Sequence, residues 1–255
     1  MPPSVFLTGR PKSGSVLHRR LLTPLISRIS HIQQPPPASL HTTMAATEPR
    51  VIHLDICAYG DLEIALTTSD IDVTYRVSSH QLCSGSPFFR AMLGPQSSFA
   101  EASGLRSHQS SSATESNGSL FRITAEEEHD PTALATVLYV LHGRAEHIPE
   151  SVTFENLLEI AIICDYYDCA ATMRPWDEIW MSPLRSLTSK PGYENWLFIS
   201  WVFEDQDVFG EMTKTFSRNG VMVDGEFGVM VARNVKRMDC HLPQGIISTI
   251  MPDYI

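Results

Sequence analysis

The chain lacks any long apolar run. Its most apolar stretches, residues 157–164 and 196–203, reach about eight residues against the roughly 20 needed to cross a bilayer. A transmembrane helix is excluded on that count. The five cysteines, Cys57, Cys83, Cys164, Cys169 and Cys240, are an odd number, include no CxxC pair and follow no secretory signal. A reduced, intracellular setting is therefore expected. The sequence also contains no GxSxG, no HExxH and no phosphate-cradling glycine loop, so the compact signatures of hydrolytic, metalloprotease and nucleotide chemistry are missing. Acid is missing from the first 47 residues, where Glu48 is the first carboxylate.

That last absence divides the chain. Residues 1–43 carry Arg10, Lys12, Arg19, Arg20 and Arg28 and no acid, a formal +5. The remaining 14 Lys and Arg face all 29 Asp and Glu, a net of −15. A body this acidic repels phosphate backbones, whereas non-specific nucleic-acid affinity comes mainly from cations that displace counterions. Direct nucleic-acid binding is disfavoured. The 43% apolar share over 255 residues still supplies a real core of one or two domains.

The basic, Ser- and Pro-rich segment 1–48 has the composition of a disordered leader or of a mitochondrial presequence. Pro24 prevents one undisturbed helix over residues 17–32, because an interior proline costs about 3 kcal/mol. Met44 is a second candidate start, immediately ahead of the first patterned strand. Mitochondrial localisation applies if residues 1–43 are translated; otherwise the nucleus or cytoplasm is expected.

From Val51 the pattern becomes strict. Ile52, Leu54 and Ile56 alternate with His53, Asp55 and Cys57, and after Tyr59-Gly60-Asp61 the series Leu62, Ile64 and Leu66 repeats the period of two. Two half-buried strands joined as a hairpin are predicted, with a third at Val73, Tyr75 and Val77 completing a meander. Helix signals follow. Ser78 with Gln81 has capping-box spacing, and Ser86-Pro87 and Asp130-Pro131 are cap and first-position pairs. Phe89, Met92 and Leu93 share one helical face, as do Leu134, Val137, Leu138 and Leu141. A fourth strand is expected over residues 120–124. The helix over 153–168 carries Leu157, Ile160, Ala161, Cys164 and Tyr167 at helical spacing, with Leu158 and Ile162 widening the stripe, which predicts burial over most of its surface.

These residues carry a resemblance. Arg76-Val-Ser-Ser-His80 with Leu82, then Ser86-Pro-Phe-Phe-Arg-Ala-Met-Leu93, are similar to the stretch between the third strand and second helix of BTB/POZ domains. Asp130-Pro-Thr-Ala-Leu134, Leu138-Tyr-Val-Leu-His142, Ile148-Pro-Glu150, Leu157-Leu-Glu-Ile-Ala161, Cys164-Asp-Tyr-Tyr-Asp-Cys169 and Arg174-Pro-Trp176 resemble the form of that domain found in many filamentous-fungal proteins. The resemblance implies an α+β fold, a small mainly antiparallel sheet packed against a cluster of helices. It also implies a non-catalytic protein–protein interaction scaffold that binds other proteins, self-associates, or serves as substrate adaptor of a cullin-type ubiquitin ligase. The segment before Val51 is Pro- and Ala/Thr-rich, unlike the long leading helix that dimeric members exchange.

The expected organisation is a leader over 1–48, a BTB/POZ domain over 51–180 and a helical extension over 181–255 packed on it. Nine of the 23 residues from 97 to 119 are Ser and few are apolar, so a disordered insertion is predicted over about 96–119. All four tryptophans, Trp176, Trp180, Trp196 and Trp201, fall within 26 residues and read as anchors docking the later helices rather than as a ligand box. Phe209, Met212, Thr213 and Phe216 predict an amphipathic helix ended by Gly220, and residues 242–247 a last short one.

No catalytic, cofactor or metal residue is assigned, no cofactor is expected, and the protein-binding residues are left open. His80 and Cys83 have metal-ligand spacing without a second pair, and Cys164 with Cys169 is too widely spaced for a zinc ribbon. His80 is expected to pack at a helix start, and Cys83 and Cys164 to serve as small buried groups. The run Glu126, Glu127, Glu128, His129, Asp130 looks like an acid/base cluster, but acids at a helix N-terminus are favoured by the helix dipole alone. The remote alternative is an organelle-targeted enzyme that uses this cluster.

Overall fold

The computed structural model describes residues 50–111, 120–223, 226–231 and 234–237. The chain divides into two compact units, Met1–Glu48 and Pro49–Ile255. The first unit, with the expected leader, and the expected helix at 242–247 lie outside the described residues. The second unit is α+β, with a small mixed four-stranded sheet and eight helices among the described residues.

The strands occur where the period of two places them: β1 Arg50–Asp55, β2 Leu62–Thr67, β3 Ile71–Val77 and β4 Phe121–Thr124. Their neighbours differ from the expected meander. The order is β1-β3-β2-β4, with β1 parallel to β3, β2 antiparallel to β3 and β2 parallel to β4. The sheet is mixed rather than mainly antiparallel, and β1 and β2 do not form a hairpin. Two local features produce this. Cys57 still donates its N–H to Arg76 O (3.0 Å), so the chain leaves β1 along β3 and crosses beyond that strand's end. At the crossing Gly60 lies so close that a Cβ would stand 2.5 Å from Val77 O. The true hairpin is β2–β3, closed by Thr68, whose hydroxyl accepts from Ile71 N (3.2 Å) and donates to Ile71 O (3.0 Å). Val73, Tyr75 and Val77 are buried, and Thr74 on the opposite face is only 8% exposed, as suits an inner strand. Val51 on the edge strand is 59% exposed.

The caps place the helices. Ser86 begins α2 (Pro87–Leu93) by accepting from Phe89 N at 3.1 Å. It follows α1 (Ser79–Gly85), where Ser78 accepts from Gln81 N. A further helix, α3 (Ala100–Ser111), stands within the segment expected to be disordered. Ser-rich as it is, α3 has Ala102 and Leu105 one turn apart and buried. Arg106 donates to Pro95 O and Ser97 O, and Gln109 to Asp61. These few contacts order residues that composition alone cannot. Asp130 caps α4 (Pro131–Leu141) through Ala133 N at 2.8 Å, and Thr153 caps α5 (Phe154–Tyr166) through Asn156 N. Leu157, Ile160, Ala161 and Cys164 on α5 are fully buried.

After α6 (Ala170–Met181), a 3-10 turn (Ser182–Leu187) leads to α7 (Trp196–Val202) and α8 (Gln206–Asn219). The described residues beyond α8 are strands rather than helix. Strands β5 (Gly220–Val223), β6 (Glu226–Val231) and β7 (Asn234–Arg237) form an antiparallel sheet, where the expected helical extension over 181–255 placed no strand. The β-branched content of Val221, Val223, Val229, Val231 and Val235 favours strand over helix, and the intervening Asp224-Gly225 is a strong hairpin signal in sequence.

One buried apolar cluster runs from Ile56 to Phe216 and takes in the sheet and the helices on both sides of residue 180. Trp180 and Trp196 are essentially unexposed. Trp196 packs on Phe154 of α5 (5.7 Å between rings), and Trp180 stacks on Trp176 (6.2 Å) while donating its indole N–H to Pro149 O. The tryptophans are packing anchors, each fully buried large side chain contributing about 1.5–3 kcal/mol.

Candidate functional site

The acidic run between β4 and α4 folds into a tight turn, with His129 N–H donating to Glu126 O at 3.2 Å. Its five side chains go to different places. Asp130 caps α4. Glu127 and Glu128 are exposed. Glu126 accepts a short hydrogen bond from the Tyr166 hydroxyl at the end of α5. His129 is buried at 5% exposure, edge-on to Tyr166 (5.2 Å) and Tyr167 (5.5 Å), and its Nε2 meets no hydrogen-bond partner. Burial pushes this imidazole below its ordinary value, against the opposing pull of Glu126 and Glu128. The run is dispersed between capping, solvent and aromatic packing.

His129 belongs to a nest of rings. Phe89 stacks on Tyr167 at 4.8 Å, Phe88 meets both Phe89 (5.6 Å) and Tyr167 (5.4 Å), and Tyr166 meets Tyr167 edge-on at 4.8 Å. Burial raises the Tyr167 phenol well above its usual range, so it stays neutral. Beneath the nest the Ser86 hydroxyl donates to Tyr167 O at 2.6 Å. Phe88, Tyr166 and exposed Glu126 leave a half-open rim, apolar with one carboxylate.

Two other surfaces are polar. On the sheet's outer face the register sets Asp55, Arg76, Glu63 and Arg122 side by side across all four strands. Arg122 pairs with Glu63 at 2.9 Å, and Arg76 donates to Gly60 O. Opposite-sign neighbours of this kind stabilise a sheet by about 0.2–1 kcal/mol per pair. The second surface is an open cleft of about 400 Å³ between α6 and the start of α8, lined by Asp177, Glu178, Arg185, Glu204, Asp205 and Asp207 among others. Arg185 reaches Glu178 at 2.7 Å and Asp205 at 2.8 Å. Burial raises the Asp177 carboxyl above its ordinary value.

The remaining sequence candidates separate. His80 is exposed rather than packed at the helix start. Cys83 is half-buried, its thiol donating to Phe89 O at 3.4 Å. Cys164 and Cys169 are buried free thiols, and burial pushes Cys164 far up. Among the described residues no group of three or more His, Cys, Asp or Glu is arranged to hold a metal ion, and no helix is long and apolar enough to cross a membrane. His142, which sequence reasoning did not single out, closes α4. Its Nε2 accepts from Ser78 N at 2.9 Å and its Nδ1 faces Leu138 O at 2.8 Å. The available signal was its position at the end of an apolar helix, where a polar ring meets unsatisfied carbonyls.

A scan of protein-family models finds no match to this chain, and none of the curated proteins matches it.

Proposed function

We propose that the chain is a non-catalytic protein–protein interaction module of the BTB/POZ type, of the filamentous-fungal form. One observation carries this reading. The two stretches most responsible for the resemblance, Ser86-Pro-Phe-Phe and Cys164-Asp-Tyr-Tyr-Asp-Cys169, are distant in sequence and join through the Ser86–Tyr167 hydrogen bond, which spans 81 positions, and the Phe89–Tyr167 stack. Each belongs to a helix pair, α1–α2 or α5–α6, and both pairs share one core. The half-open rim of Phe88, Tyr166 and Glu126 is the surface offered to a partner, since aromatic side chains with a polar fringe are what protein interfaces favour. The free thiols of the four described cysteines accord with action in the nucleus or cytoplasm.

The test is affinity purification of tagged protein with mass spectrometry, alongside light scattering of the purified chain. Stoichiometric capture of a protein partner, or a concentration-dependent dimer, is expected, and Phe88→Ala with Tyr166→Ala weakens it at least about tenfold, the cost of losing one interface anchor. Near-stoichiometric cullin would specify a ubiquitin-ligase adaptor within this reading. A monomer that captures nothing overturns it.

A further inference from the structure

Helix α4 is largely enclosed, with eight of its 11 residues buried, and a histidine stands at each end of it. His129 immediately precedes the cap residue Asp130, and His142 is the C-cap. Both rings are at least nine-tenths buried, and each joins α4 to a different element. His142 holds the corner before α1 through Ser78, and His129 holds the end of α5 through Tyr166 and Tyr167.

Hydrogen-bond chemistry fixes the state of His142. A backbone N–H can only donate, so Nε2 must carry its lone pair toward Ser78, and the proton must sit on Nδ1, where it donates to Leu138 O. A second proton would set Nε2–H against the Ser78 N–H. The charged group bearing on this ring is the Arg144 guanidinium, which also opposes protonation. At His129 the Nε2 has no acceptor. The groups bearing on it are the carboxylates of Glu126 and Glu128 from its own turn and the neutral phenols of Tyr166 and Tyr167 from α5. A charge on this ring draws Glu126 away from the Tyr166 hydroxyl.

We propose that α4 is an acid-released clamp: neutral imidazoles at its two ends hold α1 and α5 to it, and protonation of both in mild acid loosens the two junctions together. Burial lowers the proton affinity of both rings, so the folded chain binds fewer protons than the unfolded one. The stabilisation is complete above the ordinary histidine value of about 6.5 and is lost as pH falls below it. Each ring changes the folding constant by up to about tenfold per pH unit in that window. Free carboxyls titrate near pH 4, so the interval from 7.5 to 5.5 reads the histidines.

The experiment is denaturant unfolding of the full chain at pH 7.5 and 5.5, with ring-nitrogen NMR of the histidines at pH 6. The folding constant is expected to fall at least about tenfold, with both rings neutral at pH 6 and His142 protonated on Nδ1. In the double variant His142→Gln, His129→Phe the glutamine oxygen accepts from Ser78 and the phenyl ring fills the nest, so the fall shrinks to below about threefold. A wild-type change below about threefold, an undiminished fall in the double variant, or a charged ring at pH 6 overturns the proposal. If the double variant does not fold, the wild-type ring spectra and unfolding data decide.

Discussion

Ser86 and Tyr167 are tied by a hydroxyl that works in two directions, accepting from Phe89 N at 3.1 Å and donating to Tyr167 O at 2.6 Å. The residue is fully buried, so water cannot replace either bond. Ser86→Ala removes an N-cap worth about 1 kcal/mol and leaves a buried carbonyl unsatisfied at about 1–3 kcal/mol. A loss of about 2–4 kcal/mol in denaturant unfolding is expected. Ser84→Ala, whose exposed hydroxyl only bonds back to His80 O in its own helix, should stay within about 0.5 kcal/mol of wild type.

Gly60 and Gly210 give opposite signs for the same substitution. A Cβ on Gly60 would meet the carbonyl oxygen, carbon and nitrogen of Val77 at 2.5–2.9 Å, all backbone atoms at the crossover. Gly60→Ala is expected to cost at least about 2 kcal/mol, in the range of overpacking strain. Gly210 lies within α8 with nothing within 4 Å of its would-be Cβ. Gly210→Ala should stabilise by about 0.5–1 kcal/mol through helix propensity. A melting curve that rises for the first or falls for the second contradicts the packing described.

The same crossover marks where sequence stops being informative. Caps were legible because a cap bond is local: Ser78, Ser86 and Asp130 each begin a helix as read. Alternation set which strand faces are buried, yet it carries no information on which strand lies beside which. The parallel β1–β3 pairing therefore depends on Gly60 and Cys57, whose partners are distant in sequence. At the candidate site the run Glu126–Asp130 was visible as residues but not as directions. The turn made by His129 N–H and Glu126 O sends neighbours to opposite destinations, and the rings that receive His129 come from another helix. His142 stayed hidden because its role depends on Ser78, 64 positions away.

Helix α3 tests how little is needed to order a Ser-rich segment. Leu105 is its one large buried side chain, 4% exposed, and Gly104 beside it lets the Phe121 ring approach to within 2.6 Å of a would-be Cβ. Leu105→Ala should cost about 2–3 kcal/mol, and the loss should be local. Proteolytic cleavage within residues 100–111 should accelerate far more than global unfolding, as expected when a sparsely packed element opens by itself. Equal acceleration of cleavage across the whole chain would show instead that α3 is integral to the cooperative core.

Arg185 joins α6 to α8 through two ion pairs of similar length but unlike surroundings. The Glu178 side chain is 67% exposed, whereas that of Asp205 is 12% exposed and also caps α8 by accepting from Val208 N at 3.1 Å. Solvent and salt screen the first pair, so its coupling to Arg185 in a double-mutant cycle should fall below about 0.5 kcal/mol. The second pair is shielded, and Asp205 cannot leave without giving up the helix start, so its coupling should exceed about 1 kcal/mol. Raising salt to about 1 M, where the Debye length is near 3 Å, should erase the first coupling and leave most of the second. Arg185→Met is the right probe for these cycles, because it keeps the packed stem while removing the charge. Asp205→Asn then separates charge from capping: it should lose the salt-resistant coupling yet retain most of the helix start, since Asn caps about as well as Asp. Equal salt sensitivity of the two couplings would mean that Asp205 is as hydrated as Glu178, and that the junction of α6 with α8 rests on apolar contact alone.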